Sequence, residues 1–136
     1  MTLELPGPVR GSMIEHARDG HPEEVVGALA GTHGDTSTVE RRYRAGNAAD
    51  TPETRYEIAP DEELELLERI DDDGYDVVGF YHSHPRGPLE PSGTDARLAA
   101  WGGYSYVIVS LAADPPRVGS WRWRGDGFER EPVRPV

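Results

Sequence analysis

Four polar residues lie close together in the chain, at a spacing suited to binding a metal ion. They are His82, His84, Ser92 and Asp95, in the run FYHSHPRGPLEPSGTD. Neutral imidazoles and a carboxylate are ligands that zinc selects, and Ser92 adds a hydroxyl beside them. Three protein ligands leave one coordination position open, which distinguishes a catalytic zinc from a structural one. The spacing therefore predicts a hydrolytic site with one Zn²⁺ per chain.

The predicted secondary structure would bring these residues together. His82 and His84 end an apolar strand, and side chains two positions apart in a strand point to the same face. Ser92 and Asp95 begin the next predicted helix, where the pattern S-x-x-D also matches a capping box. The two interpretations are compatible, because Asp95 can turn toward a metal while Ser92 caps the helix. Prolines and a glycine in the intervening loop are expected to fix the direction of that helix.

A zinc hydrolase also needs a group that takes a proton from water. Glu23 and Glu24 are the candidates, because both lie where the chain enters a predicted buried strand. Partial desolvation there would raise the pKa of a carboxyl group toward the range useful to a general base. Spacing alone does not choose between the two, and a solvated charge at the strand end is the alternative for either.

Hydrophobic patterns predict an α/β domain with one sheet and about three helices around this site. The predicted helices are 8–19, 61–70 (with Leu64, Leu67 and Ile70 as the apolar stripe) and 92–101. The predicted strands are 24–31, 36–43, 76–81, 104–111, 117–123 and a short one after 127. Residues 44–58 show no periodicity, which predicts a loop or flap that enters a strand near 55–58.

The composition limits the classes of protein to which the chain can belong. A length of 136 residues predicts a single domain over 1–136, and no apolar run reaches the length of a membrane span. The chain has no cysteine, so a metal site must use His, Asp or Glu. A formal net charge of −11 with no basic stripe argues against nucleic acid as a partner. The N-terminus lacks a signal-peptide pattern, which predicts a cytoplasmic protein.

The acidic excess has a second implication. All 14 basic residues are arginine and none is lysine. An acid-rich surface without lysine suits a cytoplasm of very high salt, which predicts a halophilic source. Codon bias in a high-GC genome is the alternative, and both can hold.

The motif residues resemble the JAMM (MPN-plus) metalloprotease family. His82-Ser83-His84-Pro85, the seven residues between His84 and Ser92, and Gly93-Thr94-Asp95 match its signature H-x-H-x7-S-x-x-D. Residues 22–31, PEEVVGALAG, are similar to the family's E-x-x-G-x-L-x-G element, and this alignment selects Glu24. Residues 47–50 and 56–58 are similar to the segment that links these elements in the family. The resemblance covers 8–123, nearly the whole chain.

The resemblance implies a cytidine-deaminase-like α/β/α sandwich with a curved mixed sheet and a zinc-dependent isopeptidase activity. Such enzymes cut the bond after the C-terminal diglycine of ubiquitin-like modifiers joined to protein lysines. By the resemblance, His82, His84 and Asp95 bind zinc, Glu24 activates water and Ser92 supports the tetrahedral intermediate. The expected partners are ubiquitin-like modifiers and their conjugates.

The chain is short where larger members of the family carry ubiquitin-gripping insertions, so small archaeal, desampylase-like members are the best match. Two alternatives stay open. One is a protease that frees the diglycine end of a sulfur-carrier protein from a short adduct or fusion. The other is a non-catalytic MPN scaffold, which is expected to lose metal ligands that this chain keeps. The sequence does not predict the oligomeric state.

Overall fold

The computed structural model describes residues 1–136 and contains one eight-stranded sheet and three helices. The strands are β1 (Thr2–Leu5), β2 (Val26–Thr32), β3 (Thr36–Ala45), β4 (Asp76–His84), β5 (Ser105–Ser110), β6 (Arg117–Trp123), β7 (Phe128–Glu131) and β8 (Val133–Pro135). The helices are α1 (Gly7–Gly20), α2 (Pro60–Asp72) and α3 (Gly93–Leu98). None of the helices has the length and apolar character needed to span a membrane.

The sheet is mixed and strongly curved. Its strand order is β7-β6-β5-β4-β2-β3-β1-β8. β4–β5, β1–β3 and β1–β8 are parallel, whereas the other neighbours are antiparallel. Although β6 and β3 lie four places apart in this order, the Arg122 guanidinium donates to the Gly34 and Asp35 carbonyls at the β2–β3 turn. This contact shows that the sheet curls back on itself. The guanidinium also pairs with Glu131 at 2.8 Å, both groups being buried.

Each face of the sheet carries its own hydrophobic core. The cluster on one face contains Met13 and Ala17 of α1 with Leu29, Tyr81 and neighbours. The cluster on the other face joins the α2 side to the strands and comprises Val26, Ala28, Ala30, Tyr43, Ala45, Leu66, Ile70 and Phe80. Consecutive residues of β2 alternate between the two clusters, as the period of a strand requires. Helices thus cover both faces, and the predicted α/β/α architecture with a curved mixed sheet is confirmed.

Three local predictions are wrong. The predicted helix 92–101 ends at Leu98, because the Tyr106 hydroxyl accepts hydrogen bonds from the backbone N–H groups of Ala100 and Trp101 and draws them out of the helical path. Residues 55–58 form no strand, since their backbone groups bond to residues 47 and 48 instead of a neighbouring strand. In α2 the core-facing residues are Leu66 and Ile70, while Leu64 is exposed.

The remaining predicted elements are present. The helices at 8–19 and 61–70 correspond to α1 and α2, and the strands at 24–31, 36–43, 76–81, 104–111 and 117–123 correspond to β2 to β6. The tail after Gly127 forms two short strands, β7 and β8, rather than one. Strand β1 was not predicted, because a four-residue segment carries too little pattern to be recognised.

Candidate metal centre

The site forms where β2 and β4 lie side by side. The antiparallel register sets Val26 opposite His82. Beyond Val26 and His82, the last paired residues of β2 and β4, the backbone N–H of Ser83 donates to the Val25 carbonyl at 3.0 Å. The Val25 N–H in turn donates to Ser83 Oγ at 2.8 Å. Ser83 therefore points away from the site and joins the start of β2 to the end of β4. This register brings the entry to β2, with Glu24, beside the end of β4.

Three ligand atoms converge at the end of β4. His82 Nε2 lies 3.2 Å from His84 Nε2 and 3.2 Å from Asp95 Oδ2, and His84 Nε2 lies 3.1 Å from Asp95 Oδ2. All three residues are buried. Together with Glu24 they form a group whose ligand atoms all lie within 4.8 Å of one another.

His84 is held in the orientation and tautomer that a metal ligand needs. Its Nδ1–H donates to the Pro88 carbonyl at 2.8 Å, so neutral His84 presents a lone pair at Nε2. The turn after β4 packs closely on this ring, since a Cβ on Gly87 would lie 3.4 Å from His84 Cβ. The Pro-rich loop thus supports the ligand as well as leading the chain to α3.

Asp95 serves the helix and the site together. The Asp95 N–H donates to Ser92 Oγ at 3.0 Å, and the Ser92 N–H donates to Asp95 Oδ2 at 2.8 Å, which completes a capping box. The same Oδ2 faces both histidines. Burial opposes ionisation of this carboxyl group, but its hydrogen bonds with the histidines outweigh that effect and lower its pKa. Asp95 is therefore a carboxylate, the state in which it can bind a cation.

The three atoms fit a tetrahedral ion. Zinc bonds to His nitrogen or carboxylate oxygen of about 2.0–2.1 Å give ligand–ligand separations of about 3.3–3.4 Å. The observed separations of 3.1–3.2 Å are close to that value. Burial lowers the pKa of His82, which favours the neutral imidazole that binds metal. Asp95 and the Pro88 carbonyl raise the pKa of His84 against the effect of burial, so this ring is the one that must lose a proton for a metal to bind.

Glu24 is buried beside these ligands, with 5 % of its surface exposed. Its Oε1 is buried and has no hydrogen-bond partner. Burial raises the pKa of Glu24 to about 7, with a further contribution from the Asp95 charge and an opposing one from His84. An unpartnered carboxylate at this position can accept a hydrogen bond or a proton from water bound to a metal. Glu23 is exposed and lies outside the cluster, so the structure separates two residues that spacing alone left open.

Ser92 lies at the edge of the cluster and is exposed. Its Oγ accepts the hydrogen bond that caps α3, which leaves its hydroxyl hydrogen free to donate elsewhere. Ser92, Glu24 and His84 line one open cavity of about 590 Å³, whose other walls come from the loop after β4, from residues 53 and 54 and from Pro22. A substrate entering this cavity would reach all three side chains.

The structure also brings in two residues to which the sequence assigned no role. The ring of Tyr56 stacks on His82, with 4.3 Å between ring centroids and 27° between the planes. Burial raises the pKa of Tyr56 well above its usual range, so the phenol stays neutral. Asn47 bonds to the backbone of Glu24. Both lie in the segment that is similar to the JAMM linking region, which was the only sequence signal for them.

Comparison with known proteins assigns the chain to one family. The family described as prokaryotic homologs of the JAB domain matches residues 6–124. The chain belongs to this family. The JAMM-family assignment made from the sequence is thereby confirmed.

Two curated relatives of this JAB-family chain cover most of its length. A desampylase of Haloferax volcanii is 42% identical over 130 residues, which are 93% of this chain and 91% of the relative. A CysO-cysteine peptidase of Mycobacterium tuberculosis is 36% identical over 127 residues, which are 92% of this chain and 85% of the relative. The activities named for both relatives agree with the predicted protease class.

Solved structures support the fold. A protein of Desulfitobacterium hafniense, determined in solution, superposes with a TM-score of 0.89 at 33% identity and covers 100% of this chain and 93% of its own. A JAB1/MPN domain protein of Archaeoglobus fulgidus gives a TM-score of 0.59 at 20% identity, with coverage of 98% and 99%. The second likeness shows the fold alone. Together they confirm the predicted JAMM/MPN fold class.

Proposed function

We propose that this JAB-family chain is a zinc-dependent isopeptidase that cleaves the bond after the C-terminal diglycine of ubiquitin-like modifiers joined to protein lysines. The observation that carries the proposal is the convergence of His82, His84 and Asp95 beside a buried, unpartnered Glu24. Residues 1–136 would form a single catalytic domain.

The proposed metal ligands are His82, His84 and Asp95, and the proposed metal is zinc. Two imidazole nitrogens and one carboxylate oxygen suit Zn²⁺, and three protein ligands leave a coordination position open for substrate. A zinc ion bound there would make water more acidic and polarise the scissile carbonyl.

Glu24 is the proposed general base and acid. Its pKa of about 7 lets it accept a proton from the attacking water near neutral pH. The unpartnered Oε1 faces no competing hydrogen-bond donor of the protein. The same carboxyl group then returns the proton to the amine of the leaving lysine, so no second proton-transfer residue is needed.

Ser92 is the proposed stabiliser of the tetrahedral intermediate. The capping bond uses Oγ as an acceptor, so the hydroxyl hydrogen can donate to the oxygen that becomes negative. The helix cap also fixes where that hydroxyl lies, because Ser92 and Asp95 are bonded to each other twice.

The proposed substrates are conjugates of ubiquitin-like modifiers, because relatives over nearly the whole chain are named for cleaving such proteins. A diglycine tail suits a site between close walls, since glycine lets the substrate backbone approach the ion. The CysO-cysteine peptidase supports a second candidate function, the release of a short cysteine adduct from a sulfur-carrier protein. The same catalytic residues would serve both reactions.

The decisive experiment gives the purified protein two substrates in molar salt. One is a diglycine-ended ubiquitin-like protein joined to a lysine of a second protein, and the other is the same modifier carrying a C-terminal cysteine. Cleavage of the first is expected, and it should stop with a chelator and return with Zn²⁺. Glu24→Gln should lower the cleavage rate by about 100- to 10,000-fold and leave a small residual rate, whereas the neighbouring Glu23→Gln should cleave normally.

Each outcome has a clear meaning. Cleavage of the cysteine adduct alone would favour the second candidate. Cleavage that a chelator does not affect would refute a metal-dependent reaction.

A cytoplasmic location and a halophilic source complete the proposal. The halophilic source is supported by the charge of −11, the lack of lysine and the relative from Haloferax. An activity optimum far below molar salt would count against the halophilic part.

A further inference from the structure

The side chain of Asn47 is the centre of the loop formed by residues 46–59, which contains no regular secondary structure. Its Nδ2 donates to the carbonyls of Glu24 at 2.9 Å and Arg55 at 3.0 Å, with Pro52 O at 3.5 Å. Its Oδ1 accepts from the N–H groups of Ala49 at 3.0 Å and Glu57 at 3.1 Å. The amide therefore uses both of its donors and both acceptor lone pairs.

The orientation of this amide is unambiguous. The groups around Nδ2 are all carbonyl oxygens, and the groups around Oδ1 are both backbone N–H donors. Exchanging the two ends of the Asn47 amide would oppose donor to donor and acceptor to acceptor at every contact. Only an asparagine side chain supplies this combination at this length.

The bonds to Glu24 fix its backbone from both sides. The Glu24 carbonyl accepts from Asn47 Nδ2, and the Glu24 N–H donates to the Pro52 carbonyl at 2.7 Å. Pro52 lies within the loop that Asn47 organises. The Glu24 carboxylate has no comparable anchor, because its Oε1 is without a hydrogen-bond partner. The position of the carboxylate must therefore be set by its backbone and by packing.

The same loop also reaches the metal ligands and the cavity. Tyr56 stacks on His82, and Glu53 and Thr54 line the cavity that contains Glu24. Loosening the loop would thus act on Glu24 through two backbone hydrogen bonds, and on the His82 ring through one stacking contact. Asn47 itself does not line the cavity, so it has no direct contact with a substrate there.

We propose that Asn47 is a positioning residue that holds the Glu24 carboxylate in its productive place by fixing the Glu24 backbone. The proposal rests on the proposed function for its kinetic consequences. Misplacement of a catalytic group by about 1 Å costs up to about 100-fold in rate. Asn47 substitutions are therefore expected to lower kcat by about 10- to 100-fold while KM changes by less than about threefold.

Two substitutions and a control separate positioning from general loop stability. Asn47→Ala removes all the side-chain bonds. Asn47→Asp keeps the acceptor bonds to Ala49 and Glu57 but removes the donors to Glu24 and Arg55, with almost no change of shape. Asp50→Ala is the matched control, because Asp50 is an exposed residue of the same loop. Melting temperature and zinc content are measured for every variant.

The test that a purely structural role would not satisfy is a double-mutant cycle with Glu24→Gln. If Asn47 acts through Glu24, Asn47→Asp should lower the residual rate of the Glu24→Gln protein by less than about twofold. If Asn47 only maintains the fold or the metal, the single and double variants should lose the same factor. An equal loss in both backgrounds overturns the proposal.

A second measurement needs no activity. In the metal-free protein, hydrogen exchange of the Glu24 amide should be at least about tenfold faster in Asn47→Asp than in wild type or Asp50→Ala, because its bond to Pro52 depends on the loop. An unchanged exchange rate refutes the structural link. Inactive wild-type protein would refute the proposed function and leave this exchange test in force. Active wild type with an equally active Asn47→Asp variant would refute the inference alone.

Discussion

Replacing Glu24 by glutamine should stabilise the metal-free protein while it removes nearly all of the catalytic activity. In the folded chain this carboxyl group is buried and its Oε1 has no partner, and burial raises its pKa from 4.5 to about 7. Above pH 7 the folded protein must therefore hold a charge that the unfolded chain exposes to water. Glutamine has nearly the same shape and carries no charge, so it relieves that cost.

The direction and size of this change in stability follow from the linkage between proton binding and folding. Between pH 4.5 and about 7 the folded state keeps a proton that the unfolded state has lost, so stability falls as the pH rises through this window. Below pH 4.5 both states are protonated and the penalty is absent. One pKa unit corresponds to about 1.4 kcal/mol, and partial access of solvent and the burial of the new amide reduce the total. We expect Glu24→Gln to gain about 1–3 kcal/mol at pH 8, or about 3–10 °C in Tm.

The assay is thermal unfolding in the presence of a chelator, at pH 8 and again at pH 4. Glu23→Gln is the matched control, because Glu23 is exposed and carries the same charge one residue away. At pH 8 Glu24→Gln should melt above both wild type and the control, and at pH 4 the three should nearly coincide. Equal melting temperatures for the two variants at pH 8 would refute the claim that Glu24 is desolvated.

Three further predictions address the surroundings of the site. Asp95→Ala should reduce bound zinc to well below one ion per chain by metal analysis; unchanged zinc content would leave Asp95 only its capping role. Tyr56→Leu should weaken zinc affinity by about 10-fold in chelator competition, because the ring that supports His82 is lost; wild-type affinity would show that the stacking is incidental. Arg122→Met should destabilise the fold by about 3–5 kcal/mol in denaturant titration, since the buried Glu131 carboxylate loses its cationic partner and keeps only the hydrogen bonds from Ser105 and Ser120; an unchanged free energy of unfolding would show that the ion pair is incidental.

Sequence pattern predicted the parts of the site that depend on local geometry. The two-residue period of a strand puts His82 and His84 on one face, and the structure shows both Nε2 atoms directed at one point. The S-x-x-D pattern predicted a cap at Ser92, and the structure contains the full capping box. In both cases the relevant partners lie within a few residues, where spacing determines geometry.

Features that depend on contacts between distant residues could not be predicted from the sequence. Helix α3 ends early because the Tyr106 hydroxyl, on a later strand, bonds to the backbone of residues 100 and 101. Leu66 rather than Leu64 faces the core because the position of α2 on the sheet fixes which side of the helix is covered. Glu24 could be distinguished from Glu23 only through the family resemblance, because the distinction depends on strand pairing.

That strand pairing is the feature on which the whole site depends. Glu24 comes from the entry to β2 and the histidines from the end of β4, so a slip of one residue between the two strands would turn the histidines to the opposite face or move the base away from them. The reciprocal bonds between Val25 and Ser83 oppose such a slip directly at the site. On the other side of β4, Gly79 allows the close approach of β5, because a Cβ at this position would clash with the Ser105 carbonyl oxygen. The serine between the two histidines therefore contributes to the site without facing it, because its bonds to Val25 hold the strand pairing that brings Glu24 to the ligands.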